Sequence, residues 1–500
     1  MSGGVVAAGH PVTAEAGARV LRDGGNAVDA AVAAVMTSFV TESPLTGLGA
    51  GGYMLVHGEG RTDVLDFFVA APGEGERRSE LVPIDVYFTP ESVQVFHVGA
   101  ASCGVPGTPA GLVEALERFG SVPLAELAAP AARLAREGVE INGEQAYFLD
   151  ILEPILTHYE EARAIYAPSG RLLGRGETFR FPELGDALEL LGAEGATPFY
   201  EGEVAAAIAD WVLERGGTLG RTDLAAYGTI AREPVAARFH GIEVLTNPPP
   251  SSGGILIAFA LELLERTGGP CPTLEQIVAA MRAAQEARSE QFLDGLVVPE
   301  FAERFLDESR LRAAADRLGS TTHITAVDGA GRCASVTCSN GTGSGIIVPG
   351  TGVHVNNMLG EEDLNPHGFH LHPPGRRLPS MMSPTVVLEE GALVAGLGSG
   401  GSNRIRSAIL QTIVRLLCDE LGAAEAVVAP RVHYEAGAVQ AEPGIDEEAL
   451  LALEAAGYEV VRWPALNVFF GGVHAVARDA SSGELEGGGD PRRGGAVAVA

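Results

Sequence analysis

The chain has 500 residues, 46% of them hydrophobic and 20% charged, so it can bury a large core and is neither disordered nor membrane-like in composition. Its net charge is −31 and all 34 of its basic residues are arginine, an acidity that disfavours nucleic acid and anionic membranes by simple repulsion. Length alone suggests roughly three ordinary domains. The opening MSGGVVAAGHPVTAEAG lacks a basic start and an apolar run, so no secretory signal is expected. No stretch reaches the roughly 18 apolar residues of a membrane span. Five scattered cysteines fit reduced thiols and a cytoplasmic location better than a disulfide framework. Cys333 and Cys338 have an odd separation on one predicted strand and should face opposite sides of it.

In chain order, Thr13 is expected to cap a first helix that stops at Gly24–Gly25. A second helix, Ala27 to Phe39, is apolar nearly all round and should be buried. The glycines Gly47, Gly49 and Gly52 match the dinucleotide spacing, but a helix precedes them and a strand (Tyr53 to Val56) follows. A phosphate cradle needs the reverse order, so a close backbone approach is the better reading. The stretch from about Gly107 to Arg317 is rich in alanine and leucine at helical spacing. Within it, Asn247 to Gly254 (NPPPSSGG) reads as a rigid turn before a buried helix, Ile255 to Leu264. From Thr321 the texture changes to short strands: HITAVD, CASVTC, GIIVPG and TVVLEEGALVAG. The glycine cluster Gly398 to Ser402 then precedes a helix, Arg404 to Leu416. Strands flanked by helices at both ends suggest a layered sandwich with its sheets inside.

The common hydrolase, protease and redox signatures (G-x-S-x-G, H-E-x-x-H, C-x-x-C) are absent from the sequence. His367, His370 and His372 have metal-ligand chemistry but lack a second cluster, so a solvated loop is expected and no metal is assigned. There remains Thr321, placed with Thr322 and His323 where a strand begins. A hydroxyl is a weak nucleophile unless a base adjoins it, and one such base is an amino-terminal amine. Thr321 acquires one only if the Ser320–Thr321 bond is cut.

The blocks GGNAVDAAVA (24–33), GTPAG (107–111), PPPSSGG (248–254), TTHITAVD (321–328), NN (356–357), MSPTVV (382–387), GSGGSNRI (398–405) and GDPR (489–492) together resemble the gamma-glutamyltransferase family along nearly the whole chain. The resemblance implies an α+β amino-terminal-nucleophile hydrolase, a four-layer αββα sandwich forming a single domain over 1–500. Autocleavage would give fragments 1–320 and 321–500 that stay associated. It implies Thr321 as processing residue and nucleophile, Ser339 as an assisting hydroxyl, and Gly400 and Gly401 as oxyanion donors. Asn340, Glu361 and Ser380 would bind substrate, and no cofactor is implied. Its partners would be a small amide substrate and a water or amine acceptor, with no nucleic acid or membrane and a possible homo-oligomer.

The recognition half departs from the family pattern. Phe68 stands where the family carries an arginine for the substrate α-carboxylate. Met381 replaces one of two adjacent serines, and Met358 replaces a polar residue. Arg376, Arg377 and Arg404 lie near matched blocks and are candidate substitutes. The first expectation is a gamma-glutamyl hydrolase or transferase acting on glutathione-like amides. The alternative is an amidase of the same machinery with another acyl group, like the family's cephalosporin acylase and oxamate amidohydrolase branches. A non-catalytic protein that kept the fold is the third reading.

Overall fold

The alternating apolar stretches at both ends of the chain do build sheets, and the sheets are shared between distant parts of the sequence. The computed structural model describes residues 3–89, 92–267, 269–308, 321–479 and 482–500. Ser320, and with it one side of the expected cleavage point, lies outside the described residues.

Sheet one holds β1 (Val5–Ala8), β2 (Gly51–Gly58), β3 (Arg61–Phe67), β4 (Ile230–Arg232), β7 (Thr322–Val327), β8 (Cys333–Ser339) and β13 (Ala496–Val499). Sheet two holds β5 (Val235–Phe239), β6 (Ile242–Thr246), β9 (Thr385–Glu389), β10 (Ala392–Gly400), β11 (Gly472–Arg478) and β12 (Leu485–Gly489). The orders are β13-β1-β7-β8-β2-β3-β4 and β12-β11-β10-β9-β6-β5, with every neighbouring pair antiparallel. Each sheet is covered by helices on its outer face. Helices α1 (Pro11–Arg22) and α2 (Ala27–Thr41) lie on sheet one, and α4 (Ser252–Thr267) and α5 (Arg404–Leu417) lie on sheet two. The helix α3 (Gly143–Leu156) packs farther out, beside the end of α2. This is the four-layer αββα architecture.

Local sequence accounts for most of these elements. All 15 residues of α2 are buried, as its apolar circumference requires, and Asn26 with Asp29 closes its start in a capping box. The cap of α1 differs from expectation. His10 caps it by accepting from the Val12 N–H at 3.2 Å, while Thr13 turns inward to bond the Thr41 hydroxyl at 2.7 Å. Pro11 at the first helical position, which needs no N–H partner there, moves the start three residues earlier. Cys333 and Cys338 do face opposite sides: one joins the core between the sheets, the other the core under the helices. The glycines before β2 serve close packing. A methyl on Gly49 would stand 2.1 Å from the His354 carbonyl oxygen, and one on Gly52 would stand 2.3 Å from that of Thr337. No helix among the described residues is long and apolar enough to cross a membrane.

Alternation along β7 sets up the site. Thr322, Ile324 and Ala326 point to the helical side, where Thr322 meets Glu42 and the other two join the helix-side core. His323 and Thr325 point into the space between the sheets, bonding the Thr337 hydroxyl at 2.8 Å and the His474 carbonyl at 3.0 Å. Thr321, one residue before the strand, shares the His323 side. The sheets approach closely there because Gly398 has no side chain: a methyl on it would sit 2.2 Å from the His323 ring.

Candidate active site

Thr321 opens onto a cleft between the sheets with about 330 Å³ of empty space, part of it open to solvent. The Thr321 hydroxyl donates to the Ser339 hydroxyl at 3.4 Å, and the Gly341 N–H fixes that same Ser339 oxygen at 2.9 Å. Ser339 is the last residue of β8, so pairing with β2 and β7 holds it beside the start of β7. Behind the threonine, Arg493 donates from Nη1 to the Thr321 carbonyl at 2.8 Å. Gly400, the last residue of β10, packs directly on the same carbonyl, where a methyl would stand 2.1 Å from the oxygen. Gly401 follows with φ +121°, a conformation that L side chains rarely adopt.

The rest of the cleft is apolar. Phe68, Met358, Leu364, Met381, Met382 and Ile405 line it, with Glu361, Ser380 and Ser402 as the added polar groups. Ser402 is bonded to the Asp363 carboxylate at 2.5 Å. Burial, then the neighbouring Asp363, pushes the Glu361 carboxyl up to about 8, so it is largely uncharged at neutral pH. No arginine or histidine stands among these lining residues.

The sequence profile described as gamma-glutamyltranspeptidase matches residues 13–500. The chain belongs to that family. Its gamma-glutamyltranspeptidase relatives include the glutathione hydrolase proenzyme of Escherichia coli K12, 31% identical over 98% of this chain and 90% of the relative. The acylase ACY 1 proenzyme of Pseudomonas sp. strain V22 is 32% identical over 95% of this chain and 90% of the relative. Among solved structures, a cephalosporin acylase from Bacillus halodurans superposes with a TM-score of 0.85 at 26% identity, covering 99% of this chain and 96% of that one.

Against the family pattern, Phe68, Glu361 and Ser380 do line the cleft with Thr321 and Ser339. Phe68 is buried and stacks on Tyr53 with ring centroids 5.5 Å apart. Asn340 is placed otherwise. The residue after a strand-end serine points away from it, and Asn340 is buried beside Gly47 rather than on the cleft wall. Neither amide atom has a hydrogen-bond partner among the described residues. The candidate replacement arginines are also elsewhere. Arg377 is held by the buried Asp66 at 3.2 Å and lies over Tyr227, Arg404 pairs with Glu435 at 2.7 Å, and Arg376 is exposed. Among the described residues no group of three or more histidine, cysteine or acidic side chains is placed to hold a metal. His367 meets Asp294 at 3.4 Å, and His372 bonds the Leu364 carbonyl at 2.9 Å.

Sequence reading missed the helical side of the strand that follows Thr321. There, Glu42 accepts from the Thr322 hydroxyl at the end of an apolar pocket with about 550 Å³ of empty space, part of it open to solvent, which Arg493, Phe148 and Tyr166 also line. Burial pushes Glu42 up to about 7 against the Thr322 bond and the Arg493 charge, and burial lowers Arg493 to about 10. The only sequence signals were an acidic residue closing an otherwise apolar helix, in TESP, and a second arginine in DPRRGG.

Proposed function

We propose that the chain is a self-processing amide hydrolase of the acylase kind, whose acyl group is uncharged where the family's gamma-glutamyl donors carry an α-carboxylate. The observation that carries this reading is the cleft before Thr321: apolar, with Phe68 on its wall and no cation among its lining residues.

The enzyme would begin as one precursor folded as one domain. Attack of the Thr321 hydroxyl on the preceding carbonyl, followed by hydrolysis, would leave fragments 1–320 and 321–500 interlaced in the two sheets. The freed α-amine, with an ordinary pKa near 7.7–8.0, then accepts the hydroxyl proton at about neutral pH. Ser339, 3.4 Å from that hydroxyl, orients it. The threonine oxygen attacks the substrate carbonyl, and the leaving amine takes the proton back as the acyl-threonine ester forms. Water or a second amine then releases the acyl group. Gly400 and Gly401 are assigned the oxyanion, a role in which each donor is typically worth about 2.7–4 kcal/mol. No step calls for a cofactor. Five free cysteines suit the cytoplasm as its compartment.

The test is a panel of anilides and amides with gamma-glutamyl, aliphatic, aromatic and dicarboxylic acyl groups, assayed as kcat/KM. Uncharged acyl groups should exceed the gamma-glutamyl donor by roughly ten- to a hundredfold, the worth of one lost arginine–carboxylate contact. Efficient turnover of glutathione by the unmodified enzyme would restore the gamma-glutamyl reading that the Escherichia coli relative suggests.

A further inference from the structure

Two cysteines that the proposed chemistry does not use meet at the far ends of the two helices that rim the cleft. Helix α4 starts at the cleft, where the Ser252 hydroxyl bonds the Ser380 carbonyl at 3.1 Å and the Met381 sulfur at 3.3 Å. Helix α5 starts there too, with Ser402 and Ile405 on the cleft wall. The two helices pack against each other over sheet two. With 16 and 14 residues they run about 24 and 21 Å away from the cleft. Cys271 lies just beyond the end of α4, and Cys418 is the residue that terminates α5. The Cys271 thiol donates to the Cys418 carbonyl at 3.2 Å, which brings the two cysteines together across the helix ends. Cys103, Cys333 and Cys338 are fully buried in the cores, whereas Cys271 is exposed and Cys418 half-buried.

We propose that Cys271 and Cys418 form a disulfide under oxidising conditions, stapling α4 to α5 and joining the parts of the chain on either side of Thr321. The chemistry balances with a disulfide oxidant such as glutathione disulfide. The exposed Cys271 thiolate attacks the oxidant and releases one glutathione. Cys418, as thiolate, then attacks the Cys271 sulfur and releases the second. Two protein thiols become one disulfide, and one glutathione disulfide becomes two glutathiones. Burial and the adjacent Cys271 push the Cys418 thiol up to about 12, so the second step is the slow one and gains from mildly alkaline pH. In a reducing cytoplasm the pair stays as thiols.

The test uses the whole protein, incubated with glutathione disulfide at mildly alkaline pH, quenched with an alkylating agent and mapped by peptide mass. The expected product is one linked peptide pair containing Cys271 and Cys418, two hydrogens lighter than the reduced pair and absent from Cys271→Ser. A self-cleaved sample should then run as one band of full-chain mass without reductant and as two with it. The peptide map reads the bond equally well in an uncut chain, so failed processing does not mask the result. The proposal is overturned if both thiols remain alkylated, if each carries its own glutathione, or if Cys418 links elsewhere.

Discussion

Of the two walls of the Thr321 cleft, one is held by strand ends and the other by loops. Thr321 stands one residue before β7, and Ser339 and Gly400 end β8 and β10, where ladder pairing in both sheets fixes the backbone. Phe68, Met358, Leu364, Met381 and Met382 stand on connecting segments between strands. A loop residue can change without disturbing a ladder, whereas a change at a strand end shifts its paired neighbours. The proposed bond cleavage and the proposed acyl recognition therefore fall on separable parts of the molecule, and relatives named as glutathione hydrolases and as acylases are what such a division permits.

The severest way to break the comparison is at the strand wall. Thr321→Ala should leave an uncut chain and lower amide hydrolysis by on the order of 10⁴-fold or more. A denaturing gel and a fixed-donor rate assay read both effects. Cleavage that persists in this variant, or a mature end at another residue, would remove Thr321 from its assigned role.

At the loop wall the effect should be a change of preference. Phe68→Arg is expected to raise the gamma-glutamyl donor relative to an uncharged donor by roughly tenfold, through charge-assisted bonds to the α-carboxylate. Loss of the Tyr53 stacking partner should cost some stability, so the ratio of kcat/KM values for the two donors is the decisive measurement. An unchanged ratio in a folded variant would mean that Phe68 does not set acyl choice.

The smallest effect concerns pH and stability. His10, His354 and His474 are lowered to about 4 by burial, and His323 and His433 lie well below their usual value. These rings are neutral in the fold and take up protons on unfolding, so their contribution is lost as pH falls from about 6.5 toward 4. Glu42 and Glu361 are raised to about 7 and about 8, so their contribution is full below their ordinary value of 4.5 and is lost as pH rises through 7 to 8. The melting temperature should peak near pH 6.5, because below it the five histidines lose more than the two glutamates gain, and above it only the glutamates still titrate. Glu361→Gln, which cannot ionise, should flatten the alkaline side by roughly 2–5 °C. An alkaline decline as steep as in the parent would show that Glu361 is already charged in the fold.

Sheets, layers and the strand that follows Thr321 were legible because they depend on period-two patterning and on ordered motif blocks, which sequence carries directly. Ser339 and Gly400 were singled out by the family resemblance alone, and the structure places each at the end of a strand. Asn340 is not among the cleft-lining residues, because adjacency in sequence to Ser339 says nothing of which way the next side chain turns once a strand ends. Glu42 and Arg493 could not be foreseen, since they come from the two ends of the chain and meet only through the β1–β7 and β1–β13 ladders. The start of α1 was misread because a histidine cap carries a weaker signal than threonine.

The order of strands in sheet one has a consequence for how the molecule can be wired. The β13 strand lies beside β1, which lies beside β7, and the Ala500 N–H donates to the Gly4 carbonyl at 2.8 Å. Every neighbour in the sheet is set by hydrogen bonding across strands, whatever connects residues 308 and 321. A circularly permuted chain, joined from residue 500 back to residue 4 and opened before Thr321, would keep all of those neighbours. Once its initiator methionine is trimmed, biosynthesis itself would deliver the free amine that proteolysis is proposed to supply. In such a protein maturation and catalysis become independent events, each measurable without the other.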